Sequence, residues 1–383
     1  MDYNNDIVSF ENMSLDKDLL RGIYSMGYEK PSTIQYKAIL EFKNGKDIIG
    51  QSQSGSGKTA AFSIGILQKI DTSSKTIQAV ILTHTRELAF QIKNVITELG
   101  KWLNVRICLT IGGTSVKNNI DELNDNPHIV IGTPGRTLDM INKKALNTRY
   151  LKNFIIDEAD EMLSNIFLNQ IYDIFRFLPS TIQIGLFSAT MNAEFFRLAK
   201  CFMKDPVKIL VKNNELTLEG IRQYYVNVIK YEFKFETLCD LYETFSVSQS
   251  IIYCNSKKSL CNLKDKLKKN CFSVCYMYGE MKQDDRNKIM EQFRNGSYRI
   301  MICTDLLCRG IDIQQVSIVI NYDMPLSIEN YIHRIGRSGR FGRKGIAINF
   351  TTLNDNKKIS EIESYYSTKI DELPDNLDLI NIF

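Results

Sequence analysis

Long apolar runs are absent from this sequence of 383 residues, whose apolar stretches have only the length of strands. None approaches the roughly twenty residues of a membrane-spanning helix, so we expect no membrane association. The first residues, Met1 to Asp6, are polar and acidic, whereas a secretory signal begins with basic residues. We therefore expect a cytoplasmic protein, with the nucleus as the alternative compartment.

Paired metal-binding cysteines and long basic tails are also missing. Cys271 and Cys275 lie close together among the nine cysteines, but no second pair accompanies them at zinc spacing. We therefore expect free buried thiols rather than a metal site. The net charge is only +4, so any nucleic acid must be held by local groups. The lysine-rich run from Lys264 to Lys269 is typical of a solvated helix face.

Short β-branched runs that alternate with amphipathic helical patterns, such as 87–99, are present in both halves of the chain. The predicted strands are 47–50, 79–82, 128–131, 154–156, 184–187, 251–253, 299–302, 318–320 and 346–348. This alternation predicts an α/β fold with parallel sheets covered by helices on both faces. We place a first domain at 1–211, a linker at 212–220 and a second domain at 221–383. Ligands are expected beyond the carboxyl ends of the strands of each sheet.

A glycine-rich loop between a strand and an apolar helix is the first chemical motif. Its residues are Ser52, Gln53, Ser54, Gly55, Ser56, Gly57, Lys58 and Thr59. Such a loop turns its backbone N–H groups toward phosphates, helped by the helix N-terminus. Lys58 is expected to neutralise the β- and γ-phosphates, and the Thr59 hydroxyl to ligate magnesium, Mg2+. Ser52 stands where the usual pattern opens with glycine.

An acidic cluster, Asp157-Glu158-Ala159-Asp160, ends a buried strand downstream of that loop. Asp157 suits a magnesium ligand, directly or through water. Glu158 is placed to orient and deprotonate the attacking water. Acidic clusters are usually solvated surface, but one that terminates a buried strand after a phosphate loop indicates a nucleotide site.

A basic motif, Tyr331 to Arg340, carries arginines at 334, 337 and 340, a spacing that places them on one helical face. Arg337 and Arg340 are expected to act as fingers on the transferring phosphoryl group, supplied from the second domain. The alternative is a solvated face or a phosphate-binding patch. His333 is expected to couple the domains.

With these motifs in this order, the chain resembles the DEAD-box RNA helicases from Phe10 nearly to its C-terminus. The resemblance implies two tandem RecA-like domains, with ATP and Mg2+ as cofactors. It implies that Phe10, Tyr28 and Gln35 form an adenine-reading motif in which Tyr28 stacks on the base and Gln35 grips its edge. It also implies that Asp160, Ser188 and Thr190 couple hydrolysis to unwinding, and that Asp312 reaches the ribose.

The same resemblance implies an RNA-contacting set of residues. In the first domain these are Thr85, Arg86, Gly112, Gly113, Thr133, Pro134, Gly135 and Arg136. In the second domain they are Asn255, Ser256, Gln283, Arg286 and Thr304. Segments outside the motifs, 19–24, 215–223, 238–244 and 340–345, resemble the translation initiation factor four-A subfamily, with the junction-complex helicase of messenger-RNA processing as a close relative.

Several residues depart from the family pattern. They are His84, Cys308, Tyr278-Gly279-Glu280 and Lys257-Lys258. None of them removes a catalytic carboxylate, the phosphate lysine or a finger. These departures concern partner contacts and RNA affinity rather than the reaction.

We therefore expect an ATP-dependent RNA helicase whose two domains close on ATP and RNA and locally unwind short duplexes. RNA contacts to phosphates and 2′-hydroxyls would give little sequence preference. The expected partners are RNA and a scaffold protein that assists closure, and the expected state is a monomer. The alternative is an ATP-gated RNA clamp that serves as a platform in a ribonucleoprotein assembly. A DNA helicase is a third interpretation.

Overall fold

The computed structural model describes residues 9–52, 55–164, 166–210, 220–244, 249–305, 316–338, 345–353 and 355–374. The chain divides into two compact units, Met1–Val211 and Lys212–Phe383. Each unit is built on a seven-stranded parallel sheet. The predicted α/β class with two helix-covered parallel sheets is confirmed. Of the segment assigned to the linker, only Gly220 belongs to the described residues.

The first unit has its strands in the order β3-β4-β2-β5-β6-β1-β7. These strands are β1 Ile48–Gln51, β2 Ala79–Leu82, β3 Ile107–Thr110, β4 Ile129–Gly132, β5 Asn153–Asp157, β6 Gln183–Ser188 and β7 Val207–Ile209. Its helices are α1 Lys17–Ser25, α2 Thr33–Lys43, α3 Lys58–Leu67, α4 Arg86–Leu99, α5 Val116–Asn124, α6 Pro134–Asn142, α7 Ala159–Met162, α8 Leu168–Phe175 and α9 Ala193–Phe202, preceded by a 3-10 turn at Glu11–Met13.

The second unit has its strands in the order β10-β11-β9-β12-β13-β8-β14. They are β8 Ile221–Asn227, β9 Ser250–Tyr253, β10 Val274–Met277, β11 Ile300–Cys303, β12 Ile318–Asn321, β13 Gly345–Thr351 and β14 Asp371–Glu372. Its described helices are α10 Lys234–Thr244, α11 Lys257–Lys269, α12 Gln283–Arg294, α13 Ile328–Ile335 and α14 Asn356–Tyr366, with a 3-10 turn at Tyr231–Phe233.

Alternate residues of each strand feed two separate cores, because side chains of a strand point to opposite faces in turn. In β2, Ala79 and Ile81 face a core formed with helices α1 to α4, and Val80 and Leu82 face one formed with α5 to α9. In the second unit, α10 and α11 cover one face of the sheet, and α12, α13 and α14 cover the other. These layers explain why the central strands are continuously apolar.

The expectations about membrane-spanning helices and about free buried thiols have different outcomes. Within the described residues, no helix is both long enough and apolar enough to cross a membrane. Cys108, Cys254 and Cys275 are free and buried as expected, but the free thiols of Cys201 and Cys271 are exposed.

Candidate nucleotide and RNA sites

Three predicted motifs lie together at the carboxyl ends of the first sheet's strands, because the strands that carry them are neighbours. β1 lies beside β6, where Gln51 is in register with Ser188. β6 lies beside β5, where Phe187 is in register with Asp157. The glycine-rich loop, the acidic cluster and the Ser188-Ala189-Thr190 segment therefore follow adjacent carboxyl ends, where open α/β sheets bind ligands.

The glycine-rich loop is tied to its neighbour strand and to itself. The Ser52 backbone N–H donates to the Ser188 carbonyl at 3.2 Å, and Lys58 Nζ donates to the Ser52 carbonyl at 2.6 Å. The Ser52 hydroxyl bonds to the Ser56 hydroxyl, so the serine that replaces the usual glycine adds a tie across the loop. Gly55 and Gly57 have φ values of +83° and +93°. Such a loop can present its backbone N–H groups to phosphates.

Gln35 connects the predicted adenine-reading motif to that loop. Ser32 and Gln35 form a capping box at the start of α2, in which the Ser32 N–H donates to Gln35 Oε1 at 2.8 Å. The Ser32 hydroxyl donates to the Ser56 carbonyl at 3.0 Å. A Cβ on Gly57 would overlap the Gln35 amide nitrogen. The amide of Gln35 is therefore held directly against the loop.

The two aromatic residues of that motif differ in exposure. Phe10 is fully buried and lies edge-on to Tyr24, with ring centroids 6.5 Å apart. Tyr28 is half-buried at the border of the same core. Tyr28 therefore keeps surface that a base can stack on, whereas Phe10 supports the motif by packing.

We expect Gly57→Ala to weaken ATP binding at least tenfold, because the new methyl group displaces Gln35 and strains a backbone with φ of +93°. Gly45→Ala is the matched control. Its φ is +72°, so the backbone cost is similar, but a Cβ there meets no atom within 4 Å. Nucleotide titration and thermal unfolding of both variants would separate the two effects. Equal losses of affinity in both variants would contradict the proposed Gln35 contact.

The acidic cluster has a strained backbone and a perturbed carboxyl group. Glu158 has a φ of +49°, and its N–H donates to Asp157 Oδ1 at 3.0 Å. A positive φ is uncommon outside glycine and is found where surrounding structure enforces it. Burial and, secondarily, the Glu158 carboxylate raise the pKa of Asp157 to about 7, while the Lys58 ammonium opposes that rise.

These residues fit a magnesium ion. Mg2+ prefers oxygen ligands, and Asp157 and Thr59 offer a carboxylate and a hydroxyl. A cation beside Asp157 would also stabilise the charged carboxylate that burial disfavours. Lys58 lies close enough to affect the same carboxyl group, so positive charge is already directed at this position.

The residues predicted to couple hydrolysis to unwinding bridge two strand ends. The Thr190 hydroxyl bonds to the Asp160 carboxylate, which joins the segment after β6 to the helix after β5. The Thr190 N–H donates to the Ser188 hydroxyl at 3.3 Å. A displacement of the acidic cluster would therefore directly displace the segment after β6.

The RNA-contacting residues predicted for the first domain follow the other half of the sheet. Thr85 caps α4 after β2, Thr133 and Pro134 begin α6 after β4, and Gly112 and Gly113 come after β3. The order β3-β4-β2 makes these three loops neighbours. Gly135 follows Pro134 in the first turn of α6.

Two arginines are held among these loops. A Cβ on Gly113, whose φ is +79°, would overlap the Arg86 guanidinium, so the glycine allows close approach of that side chain. Arg136 donates from Nη2 to the Thr114 carbonyl at 2.9 Å and from Nη1 to the Thr114 hydroxyl at 3.1 Å. Both guanidinium groups are therefore positioned by the loop after β3.

In the second unit, the predicted RNA residues also lie after strand ends. Asn255 and Ser256 follow β9, Thr304 follows β11, and Gln283 and Arg286 lie in the first turn of α12. Ser256 caps α11 by accepting the Ser259 N–H at 3.1 Å. Arg286 donates to the Gly279 carbonyl, and Gln283 Nε2 donates to Asn287 Oδ1 at 3.0 Å.

Arg334 has a role that the sequence did not reveal. Its side chain is 1% exposed and donates to Asp305, Asn255, Asn321 and the Asp323 carbonyl. The bonds to Asp305 measure 2.5 and 2.9 Å, as expected for a bidentate charged pair. Arg334 therefore holds together the ends of β9, β11 and β12.

The prediction that the arginines at 334, 337 and 340 share one helical face is wrong for Arg337. Helix α13 ends at Ile335 with Gly336 as its C-cap, so Arg337 lies beyond the helix. Its Nε donates to the carbonyl of His333, the residue in the last helical turn, at 3.1 Å. Gln53, Ser54, Asp312 and Arg340 lie outside the described residues, as does the departure Cys308.

Two segments that depart from the family pattern, one at Lys257 and one at 278–280, contact each other. Lys257 forms an ion pair with Glu280, and its Nζ lies 4.7 Å from the centroid of the Tyr278 ring. The substitutions at 257, 278 and 280 therefore belong to one local arrangement. No pattern within either segment indicates this contact, because the two segments are about twenty residues apart.

The comparisons with known proteins agree with this geometry. Residues 32–198 match the DEAD/DEAH box helicase family, and residues 233–342 match the helicase conserved C-terminal domain. The chain is 54% identical to "Eukaryotic initiation factor 4A" of Caenorhabditis elegans over 99% of this chain and 94% of that protein. It is also 54% identical to "ATP-dependent RNA helicase fal1" of Schizosaccharomyces pombe over 97% of this chain and 95% of that protein.

Solved structures are similar over the same extent. Dbp5 of Saccharomyces cerevisiae, bound to RNA and ADP BeF3, has a TM-score of 0.91 and 36% identity, covering 97% of both chains. A Dbp5 variant bound to a variant of Gle1 and IP6 has a TM-score of 0.80 and 35% identity, covering 97% of this chain and 96% of that one.

Proposed function

Because the chain belongs to the DEAD-box family of ATP-dependent RNA helicases, we propose that its first unit binds ATP and RNA on two halves of one sheet. ATP would occupy the ends of β1, β6 and β5, and RNA the ends of β2, β4 and β3. The strand order that makes β5 the border between the two halves carries this assignment.

We assign the steps of hydrolysis to the residues around the acidic cluster. The glycine-rich loop and Lys58 bind the phosphates, and Tyr28 and Gln35 bind the adenine. Glu158 orients the attacking water and accepts its proton. Mg2+ held by Thr59 and Asp157 would neutralise charge on the phosphates. Arg337 and Arg340 of the second unit complete the site when the two units close.

Coupling to RNA is proposed to run through the acidic cluster at the end of β5, whose Asp160 is hydrogen-bonded to Thr190 after β6. β5 lies beside β2 on one side and beside β6 on the other, so its end borders both ligands. A change at the acidic cluster upon hydrolysis would therefore reach the RNA-contacting loops through one strand position. ATP and RNA that bind the closed state better than the open state would shift the population toward closure.

RNA recognition is proposed to be largely independent of sequence. The candidate contacts are backbone N–H groups, hydroxyls and arginines at strand ends, which suit phosphates and 2′-hydroxyls. Residues of the second unit, Asn255, Ser256, Gln283, Arg286 and Thr304, extend this contact, and Asp312 reaches the ribose. The protein is proposed to act as a monomer.

The name of the Caenorhabditis elegans relative, an initiation factor, supports a role in initiation, which we propose to be that of translation in the cytoplasm. The equally identical fal1 relative is named only as a helicase, so identity supports the reaction more directly than the pathway. An ATP-gated clamp without unwinding is not favoured, because the fal1 relative is named an ATP-dependent RNA helicase. A scaffold that assists closure is proposed by analogy with the Dbp5 structure that contains Gle1.

The proposed function is tested by measuring ATP turnover with and without single-stranded RNA, and strand separation of a short duplex. We expect RNA, but not DNA of the same sequence, to stimulate turnover, and the duplex to separate only with ATP. RNA-stimulated turnover without strand separation would favour the clamp. Equal stimulation by DNA would contradict the assignment of 2′-hydroxyl contacts.

We expect Gln35→Ala to relax the preference for ATP over GTP, because Gln35 reads the base while Lys58 and the loop read only phosphates. The ratio of the two affinities is the measurement, since loss of the capping box at α2 affects both nucleotides alike. Gln35→Glu, which keeps an acceptor but removes the amide donor, should relax the preference as well. An unchanged ratio would place adenine recognition elsewhere.

A further inference from the structure

A row of lysines and tyrosines runs along the outer edge of the second unit. Lys257, Lys264 and Lys268 are seven and four residues apart on α11, so they share one face of that helix. Tyr276 and Tyr278 alternate along the edge strand β10 and its end, so they share one face of the sheet. We call these five residues the lysine–tyrosine strip.

The strip is assembled by contacts between these lysines and tyrosines. The ammonium groups of Lys264 and Lys268 lie 5.0 and 5.6 Å from the centroid of the Tyr276 ring. Lys257 lies 4.7 Å from Tyr278, and the two rings are 6.4 Å apart with an interplanar angle of 11°. Both rings are half-buried, so each keeps accessible surface.

Positive charge dominates this surface. Helix α11 carries six lysines and one acidic residue, Asp265. Asp265 pairs with Lys264 at 3.0 Å, and Glu280 pairs with Lys257. Both partners of the Lys257–Glu280 pair are exposed, and such pairs contribute little and are readily exchanged for another anion. The Lys264 side chain is only 19% exposed and lies against Tyr276, but its partner Asp265 is 61% exposed. The surface is therefore complementary to a polyanion.

The strip is continuous with the RNA site proposed for the second unit. It begins at Lys257, the residue after Ser256, and Tyr278 precedes Gly279, whose carbonyl accepts a bond from Arg286. From Lys257 to Lys268 the helix rises roughly 16 Å, enough to follow several phosphates. Lys257 and Tyr278 are also positions at which this chain departs from the family pattern.

We propose that single-stranded RNA leaving the second unit's RNA site continues over the lysine–tyrosine strip. Lys264 and Lys268 pair with its phosphates, and a base stacks on Tyr276. This inference rests on the proposed function. A positively charged track with interspersed aromatic rings is the usual means of holding single strands without sequence preference. The continuity with Ser256 and Arg286 favours RNA over an acidic protein as the occupant.

The test compares two double variants of the full chain with uridine oligomers of increasing length. Lys264→Gln with Lys268→Gln alters the strip. Lys266→Gln with Lys269→Gln removes the same charge from other faces of the same helix and is the matched control. RNA affinity is measured by fluorescence anisotropy at several salt concentrations, and turnover is measured with the shortest stimulating oligomer.

We expect wild type and control to gain affinity as the oligomer lengthens past the core site, and the strip variant to lose that gain. Its salt slope with long oligomers should fall by about 1.4, since each phosphate contact on a single strand contributes about 0.7. Tyr276→Leu should weaken long-oligomer binding by roughly fivefold or more, whereas Tyr276→Phe retains it. Turnover with the shortest oligomer should be unchanged.

Three results would overturn the strip. These are a strip variant whose long-oligomer affinity and salt slope equal those of wild type, an equal loss of affinity in both double variants, and a strip variant that loses affinity at every oligomer length. A wild-type chain that binds no RNA of any length would instead refute the proposed function itself, so the two failures are distinguishable.

Discussion

Glu158→Gln is expected to lower ATP turnover by on the order of a hundredfold or more while leaving ATP affinity nearly intact. The substitution keeps the size of the side chain and the backbone bond of its N–H to Asp157, but it removes the group that accepts the proton of water. The phosphate loop and Lys58 are unaffected, so nucleotide binding should persist. Single-turnover hydrolysis and nucleotide titration would measure the two effects separately.

Glu161→Gln is the matched control, since it removes the same charge three residues later, in α7. It should retain turnover within a few-fold of wild type. Glu158→Gln also removes a negative charge beside the buried Asp157. The affinity for Mg2+-ATP must therefore be measured for both variants. If Glu158→Gln turns over ATP as fast as its control, Glu158 is not the base.

The central strands could be predicted from sequence, and the peripheral ones could not. The five predicted strands of the first sheet are its five central ones, and the four predicted strands of the second sheet lie side by side. All are buried on both faces and read as continuous apolar runs. The missed strands are β3, β7, β8, β10 and β14, which lie at or next to sheet edges. Polar residues interrupt β7 and β8, and β14 is exposed and only two residues long.

The site residues also divide into those that the sequence predicts and those that it does not. The sequence places the phosphate loop and acidic cluster well, because each motif lies on one segment at the end of one strand. Arg334 is different, since its partners Asn255, Asp305 and Asn321 come from three segments, and only the folded sheet brings them together. The same reason hides the contact of Lys257 with Tyr278 and Glu280. Spacing within one segment cannot reveal a bond made between segments.

Arg337→Ala is expected to lower the kcat of ATP hydrolysis at saturating RNA by roughly a thousandfold, the scale of an arginine finger in other phosphoryl-transfer systems. The structure holds this side chain by a bond from Nε to the His333 carbonyl at the end of α13, which sets the direction of the guanidinium. From the sequence alone, Arg340→Ala carries the same expectation. ATP affinity of the open protein should change little, because Lys58 and the loop lie in the other unit.

The alternative is that Arg337 contacts an RNA phosphate, and it predicts a different set of results. RNA affinity would fall, the salt slope on single strands would drop by about 0.7, and basal turnover without RNA would be unchanged. Arg294→Ala removes an exposed arginine from the end of α12 in the same unit and controls for the loss of charge. Both variants should be assayed for basal turnover, RNA-saturated turnover and RNA affinity at two salt concentrations.

Arg337→Lys separates charge from geometry. Lysine keeps the positive charge, so an RNA-phosphate contact would largely survive, whereas a finger would not, because a single ammonium lacks the planar fork that matches phosphoryl oxygens. We therefore expect Arg337→Lys to behave like Arg337→Ala in turnover and like wild type in RNA affinity. If Arg337→Ala hydrolyses ATP as fast as wild type at saturating RNA, Arg337 is not an arginine finger. The proposal that closure of the two units controls hydrolysis would then be refuted as well.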